Sequence, residues 1–188
     1  MTASDALQRL KDGNARFVAG RSNPDWFADL SEGQNPFATI LGCSDSRVPP
    51  EILFDAGLGD LFIVRVAGNV VGAEILGSLG YALVHLHTPL FVVLGHEKCG
   101  AVKAALQAKF QGTREKRKIG ELVDAIVPAL EGIENDESAW DHAVEANVRY
   151  AVRQLAATPG GREAAAKGNF QLVGAVYEIS TGRVRFLE

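Results

Sequence analysis

The chain has 188 residues, 47% of them hydrophobic and 22% charged, with a net charge of −4. That composition suits one globular domain spanning residues 1–188 and excludes a disordered chain. It shows none of the basic footprint of a nucleic-acid binder. No apolar run reaches the ~20 residues that cross a bilayer. The opening segment lacks the unbroken apolar core of a secretory signal, so no membrane contact and a cytoplasmic location are expected. Two cysteines in a reducing compartment are poor candidates for a structural disulfide. A metal site or inert burial remains for them.

Ala3, Ala6, Leu7, Leu10 and Phe17 recur on one helical stripe, which predicts an amphipathic N-terminal helix over 3–19, ended by Gly20. A polar loop with Trp26 and Phe27 as aromatic anchors follows. FATILG (37–42) reads as a buried strand, stopped by CSDSRVPP, and LFIVRV (61–66) as a second. Asn69 is expected to cap a helix running to about His87. LFVVLG (90–95) is a third buried strand, followed by HEKCG and a helix to about Gln111. Further helices are expected over 119–132 and 138–157, with Ser138 as the N-cap of the latter and Glu145–Arg149 as an i,i+4 pair on it. The basic run Arg114–Lys118 contains a glutamate and reads as a solvated connector. NFQLVGAVYEI (169–179) is a fourth strand, and TG turns the chain into RVRFL as an antiparallel partner. Strands alternating with helices give an α/β fold: a mostly parallel sheet of about four strands plus one antiparallel edge strand, flanked by helices, with an N-terminal helical arm.

Two of these strands end in similar chemistry. Cys43 and Asp45 follow the first, and His96 and Cys99 follow the third. Parallel neighbours end on one edge of the sheet, where ligands of open α/β folds bind. Cys43, Asp45, His96 and Cys99 can therefore converge. Two thiolates, one imidazole and one carboxylate or water make a tetrahedral zinc set, and soft thiolates favour zinc over magnesium or calcium. Each piece alone is weak, because a lone cysteine after a strand is usually a small buried hydrophobe. The pairing of both cysteines with matching strand ends outweighs that reading. Cys43, Asp45 and Arg47 stand on alternate positions, which on an extended segment would share one side.

CSDSR with GHxxCG about fifty residues later resembles the β-class carbonic anhydrases. LKDGNARF, QNP before the first strand, RVAGN after the second and VLGHEKCGAV after the third extend the resemblance over most of residues 6–106, with VGAVYEISTGRV a weaker match. The resemblance implies one zinc ion per chain and reversible hydration of carbon dioxide to bicarbonate and a proton. Zinc can lower the pKa of bound water from near 16 to about 7, and two thiolates make it a poorer acid, so help from neighbouring groups is expected. An ionised Asp45, oriented bidentately by Arg47, would accept a hydrogen bond from the attacking oxygen and aim it at carbon dioxide. Released from Arg47, Asp45 could instead take the fourth zinc position, as in some members at lower pH, so activity is expected to rise with pH. By resemblance, Gln34 would offer its amide to carbon dioxide or bicarbonate. Phe62, Ala67 and Tyr81 would line the pocket, and Gly100 could give a backbone N–H. Family pockets form across a dimer interface, which implies a homodimer or a tetramer of dimers.

One departure stands out. Some members hold a regulatory bicarbonate with a tryptophan, an arginine and a tyrosine. Arg65 and Tyr177 match the last two, but Ile40 stands where the indole would be. Arg65 is expected instead to tie its strand end to neighbouring loops. His85 and His87 close a helix, where a cation suits the dipole. Hydrolysis of carbon disulfide or carbonyl sulfide, a zinc or bicarbonate sensor, and a redox dithiol are competing functions. The intact Asp45–Arg47 pair speaks against a sensor, and the lack of a CxxC motif against a redox pair.

Overall fold

The computed structural model describes residues 1–22 and 30–187; the aromatic anchors Trp26 and Phe27 lie outside them. Five strands form one sheet in the order β2–β1–β3–β4–β5. They are β1 (Ala38–Gly42), β2 (Leu61–Arg65), β3 (Leu90–His96), β4 (Gln171–Glu178) and β5 (Arg183–Leu187). The first four run parallel, and β5 returns antiparallel against β4, as the alternation of strands and helices predicts.

Both faces of the sheet are covered, so its inner strands are continuous apolar runs. Successive side chains still point to opposite sides. Leu41, Phe91 and Val93 enter one core, with Val102, Ile126, Leu130 and Val148 from the helices. Ile40, Leu90, Val92 and Leu94 enter the other, with Ala6, Leu10, Leu53 and Phe54. Each fully buried Leu or Ile contributes about 1.5–3 kcal/mol.

The N-terminal helix α1 (Ala3–Val18) starts from a capping box. Thr2 Oγ1 accepts from the Asp5 N–H, and the Asp5 carboxylate accepts from the Thr2 N–H, both at 3.1 Å. The helix lies against the second core. There Asn14 donates to the carbonyls of Leu53 and Gly182 and accepts from the Val184 N–H. A short helix, α2 (Pro50–Leu53), follows β1, with a proline where the first-turn N–H has no helical partner.

Asn69 does not cap the helix after β2. It closes a short 3₁₀ turn, Ala67–Asn69, in which Gly68 has φ 70° and Asn69 φ 45°. An N-cap needs extended backbone, and Gly72 supplies it for α3 (Ala73–Tyr81). That helix widens into a π turn over Ala82–Leu86 and stops at His87, itself left-handed. After β3 come α4 (Gly100–Gln111) and α5 (Arg117–Ile126). The latter tightens into a 3₁₀ turn over Val127–Leu130, which includes Pro128.

Helix α6 (Ala139–Ala156) begins where predicted, but Ser138 does not cap it with its side chain. Its N–H and hydroxyl both donate to Asp136 Oδ1 instead. Glu145 pairs with Arg149 and also with Arg185 of β5, each at 2.9 Å. Helix α7 (Pro159–Ala166) was not predicted: Gly160 and Gly161 lower its helix propensity, while Thr158 caps it and Pro159 opens it. Among the described residues, no helix is long and apolar enough to cross a membrane.

Candidate metal centre

The register sets the site. Gly42 at the end of β1 stands level with Arg65 of β2 and with Leu94 of β3. The chain leaves β1 for β2 on one side and crosses to β3 on the other, so the crevice beyond β1 and β3 is a topological switch point. Cys43 leaves β1 into that crevice, His96 ends β3, and Cys99 stands at the N-cap of α4.

Cys43, His96 and Cys99 are all buried, and their donor atoms lie within 4.8 Å of one another. The two sulfurs are 4.0 Å apart. Two sulfurs on one tetrahedral zinc ion, each about 2.3 Å from it, stand about 3.8 Å apart. A disulfide needs about 2 Å. The spacing fits a shared cation. His96 Nδ1 lies 2.9 Å from the Glu97 carbonyl, which can only accept, so Nδ1 carries the proton. Its Nε2 is left with a free lone pair and is one of two buried side-chain atoms without a hydrogen-bond partner among the described residues. Such an orphan is costly in an apolar core and is what a metal ligand looks like without its ion.

The electrostatics divide the two thiols. A hydrogen bond from Cys99 holds the Cys43 thiol well below its ordinary value, and the backbone N–H groups of Gly68 and Asp45 add to this against the opposing effect of burial. The shared proton stays on Cys99, pushed up by the neighbouring Cys43 and by burial. A dication in place of that proton would satisfy both sulfurs.

Asp45 stands beside this trio rather than in it. Its Oδ2 is 3.9 Å from His96 Nε2, and both of its oxygens are engaged by Arg47. Arg47 Nε donates to Oδ1 at 2.9 Å, and a terminal guanidinium nitrogen donates to Oδ2 at 2.7 Å. This pairing keeps the Asp45 carboxyl far below the usual carboxylate range, helped by the Arg47 backbone N–H. The two residues do not meet by strand alternation. The strand stops at Gly42, and a turn at Ser46–Arg47 folds the guanidinium back. Arg65 explains the stop: its guanidinium donates to the Cys43 carbonyl at 3.0 Å and to the Asp45 carbonyl at 2.6 Å, in place of a strand ladder. Arg65 thus ties the strand end to the next loop, as expected.

The substrate-pocket candidates are less concentrated. Phe62 stacks on Tyr81, ring centroids 6.1 Å apart, and Tyr81 meets His85 at 4.9 Å. Ala67 precedes Gly68, and Gly100 is the exposed first residue of α4. Gln34 is exposed ahead of β1. Ile40 and Tyr177 are buried in the second core.

Three residues around the thiolates escaped the sequence reading. The Gly68 N–H donates to Cys43 Sγ at 3.3 Å. Trp140 Nε1 donates to the Cys99 carbonyl at 3.0 Å, and Asn147 Nδ2 donates to the Gly68 carbonyl at 2.8 Å. RVAGN carried a signal for the first; nothing in the sequence of α6 distinguishes the other two.

These features define an α/β protein with two cysteines and a histidine that could hold a cation at the switch point of its sheet. The profile of the family described as carbonic anhydrase matches residues 38–184. The chain is 43% identical over 185 residues to carbonic anhydrase 2 of Mycobacterium tuberculosis (strain ATCC 25618 / H37Rv), covering 95% of this chain and 89% of that protein. It is 41% identical over 190 residues to a carbonic anhydrase of Mycolicibacterium smegmatis, covering 95% and 90%. The fold is similar to that of a Coccomyxa β-carbonic anhydrase solved with acetazolamide, at TM-score 0.78 and 28% identity, covering 98% of this chain and 85% of that one. The chain belongs to the β-class carbonic anhydrase family.

Proposed function

We propose that this protein is a zinc-dependent carbonate dehydratase that interconverts carbon dioxide and water with bicarbonate and a proton. The observation that carries the reading is the buried Cys43–His96–Cys99 trio with the Asp45–Arg47 pair at its side. Two sulfurs and one imidazole nitrogen suit borderline-soft zinc, and the relatives' names supply the reaction. When bound, zinc supplies a water whose pKa is lowered toward about 7.

The chain's own residues do the rest. Asp45, kept ionised by Arg47, can only accept hydrogen bonds. Its Oδ2 accepts from the reacting oxygen and turns a lone pair toward the carbon of carbon dioxide. Arg47 holds the carboxylate as a two-point fork, which a lysine could not reproduce. Phe62, Ala67 and Tyr81 give an apolar wall suited to a small apolar substrate. The Gln34 amide and the Gly100 N–H supply donors to bicarbonate oxygens. The proton leaves to solvent.

Self-association, as a homodimer or a tetramer of dimers, belongs to the same reading. Among the described residues β2 pairs only with β1, at the edge of the sheet, and edges of this kind are normally covered. Leu76, Tyr81 and Val84 on the neighbouring helix are exposed. A second copy seated there would close the Phe62–Tyr81 side of the pocket. The cytoplasm suits two free, buried thiols.

Metal analysis joined to a stopped-flow hydration assay tests the function. The parent is expected to hold one zinc per chain. Asp45→Asn is expected to retain zinc and lose activity by about 10- to 100-fold. Cys99→Ala is expected to lose the metal. A parent that hydrates carbon dioxide no faster than Cys99→Ala would refute the reading.

A further inference from the structure

Helix α6 touches the segments that carry Cys99 and His96, and the turn after β2 that donates to Cys43. At its start, Trp140 Nε1 donates to the carbonyl of Cys99. In its middle, Val144 and Val148 press on Gly95, the residue before His96; a Cβ built there would stand 2.5 Å from Val148 Cγ2. Between them Asn147, 3% exposed, reaches across to the turn after β2 and donates to the Gly68 carbonyl at 2.8 Å.

The Gly68 peptide is unusual. Its φ of 70° is left-handed, and a Cβ there would stand 2.7 Å from Ile126 Cδ1 and 3.0 Å from the Ala101 Cβ. Only glycine takes this place without strain. In this conformation the N–H of Gly68 points at Cys43 Sγ, 3.3 Å away, while its carbonyl points at Asn147. One residue thus sits in a chain of donors that runs from α6 to a candidate ligand sulfur. A buried asparagine is a costly way to fill a helix–sheet interface, and Asn147 uses its amide on this one carbonyl.

We propose that Asn147 is a positioning residue for Cys43: by holding Gly68 it fixes the N–H that donates to the sulfur, and so limits how much charge that thiolate gives a bound metal. The inference rests on the metal reading above and goes beyond its ligand list. A hydrogen bond to a thiolate withdraws electron density from the sulfur. Two thiolates on one ion make it a weak Lewis acid, and a donor on one of them restores part of that acidity. Among the described residues, α6 reaches Cys99 at its carbonyl, through Trp140, rather than at its sulfur.

Cobalt(II) substitution tests this through the sulfur-to-metal charge-transfer absorption, which a general loss of packing does not shift in a defined direction. The parent is compared with Asn147→Asp, which keeps the shape and loses the donor, and with Asn147→Leu. Circular dichroism checks that each is folded. Both variants are expected to move the band to lower energy, as the sulfur regains the electron density that the hydrogen bond withdraws. A second measurement uses only the parent. Loaded with NMR-active cadmium, it is expected to show scalar coupling between the Gly68 amide proton and the metal, transmitted through the sulfur. Folded variants with an unmoved band, or a parent without the coupling, overturn the relay while leaving metal binding intact. A parent with no charge-transfer band, like Cys99→Ala, fails the metal reading itself and takes the relay with it.

Discussion

The two cysteine-bearing strand ends are built in opposite ways. Cys99 lies three residues after β3 ends and caps a twelve-residue helix, α4. The positive end of that helix, with the Ala101 and Val102 N–H groups, faces its sulfur. Its position follows from local chain geometry. Cys43 has no such helix behind it. It stands in an irregular stretch fixed by residues distant in sequence: Arg65 on its own carbonyl and that of Asp45, Gly68 on its sulfur, and Asn147 behind Gly68. One cysteine is held by its own segment and the other by the rest of the fold. Substitutions far from the chemistry should therefore disturb Cys43 more than Cys99.

The strongest disturbance is expected from Gly68→Ala. The left-handed φ and the close approach of Ile126 and Ala101 should destabilise the fold by about 1–3 kcal/mol. The misplaced N–H should weaken metal binding by about 100-fold. Urea unfolding and chelator competition measure the two effects. A variant as tight and as stable as the parent would show that Cys43 needs no outside support.

Next comes Arg65→Met, which keeps much of the aliphatic stem and removes both guanidinium bonds to the 43–45 loop. Metal affinity should fall by about 10-fold, with little change in overall stability because the side chain is exposed. Arg47→Leu should act differently, through Asp45. Arg47 holds the Asp45 carboxyl below its ordinary range, so the folded state gains from ionised Asp45 at every pH above the unfolded value of about 3.9, and that gain disappears as acid protonates the group. In metal-free protein, the parent's advantage over Arg47→Leu should be full at pH 6 and shrink below about pH 4. Urea midpoints at pH 6 and pH 3 check this. An advantage that grows on acidification would mean that Arg47 does not hold the carboxylate.

The same contrast explains what could be read from the sequence. Cys43, His96 and Cys99 were legible because strand ends are marked by apolar runs that stop, and parallel order places those ends on one edge. The Asp45–Arg47 pair was legible as a pair, but its route was not: strand alternation was expected, and a turn imposed by Arg65 made it. Asn69 was misread as a helix cap because its residue type fits, while the backbone that Gly68 demands does not. Asn147 and Trp140 were invisible, since a polar residue on the buried side of a helix gains its meaning only from the segment it meets. Gln34, Phe62, Ala67, Tyr81 and Gly100 came from family resemblance rather than from pattern. Of these, Phe62 and Tyr81 stack on one another.

The smallest expected effect lies on the other side of the comparison. Trp140 donates one neutral hydrogen bond to the Cys99 carbonyl, and Lys98 and Lys103 stand 5.1 and 5.0 Å from its ring. Trp140→Phe keeps a ring for both cations and removes only the N–H. One such bond contributes about 0.5–1.5 kcal/mol. Because α4 already fixes Cys99, only part of that should reach the metal, a loss of about 3-fold in affinity. Competition with a chelator at matched pH measures it against Arg65→Met. Should Trp140→Phe cost more than Arg65→Met, Cys99 would be the ligand that depends on distant support, and the division between the two strand ends would have to be reversed.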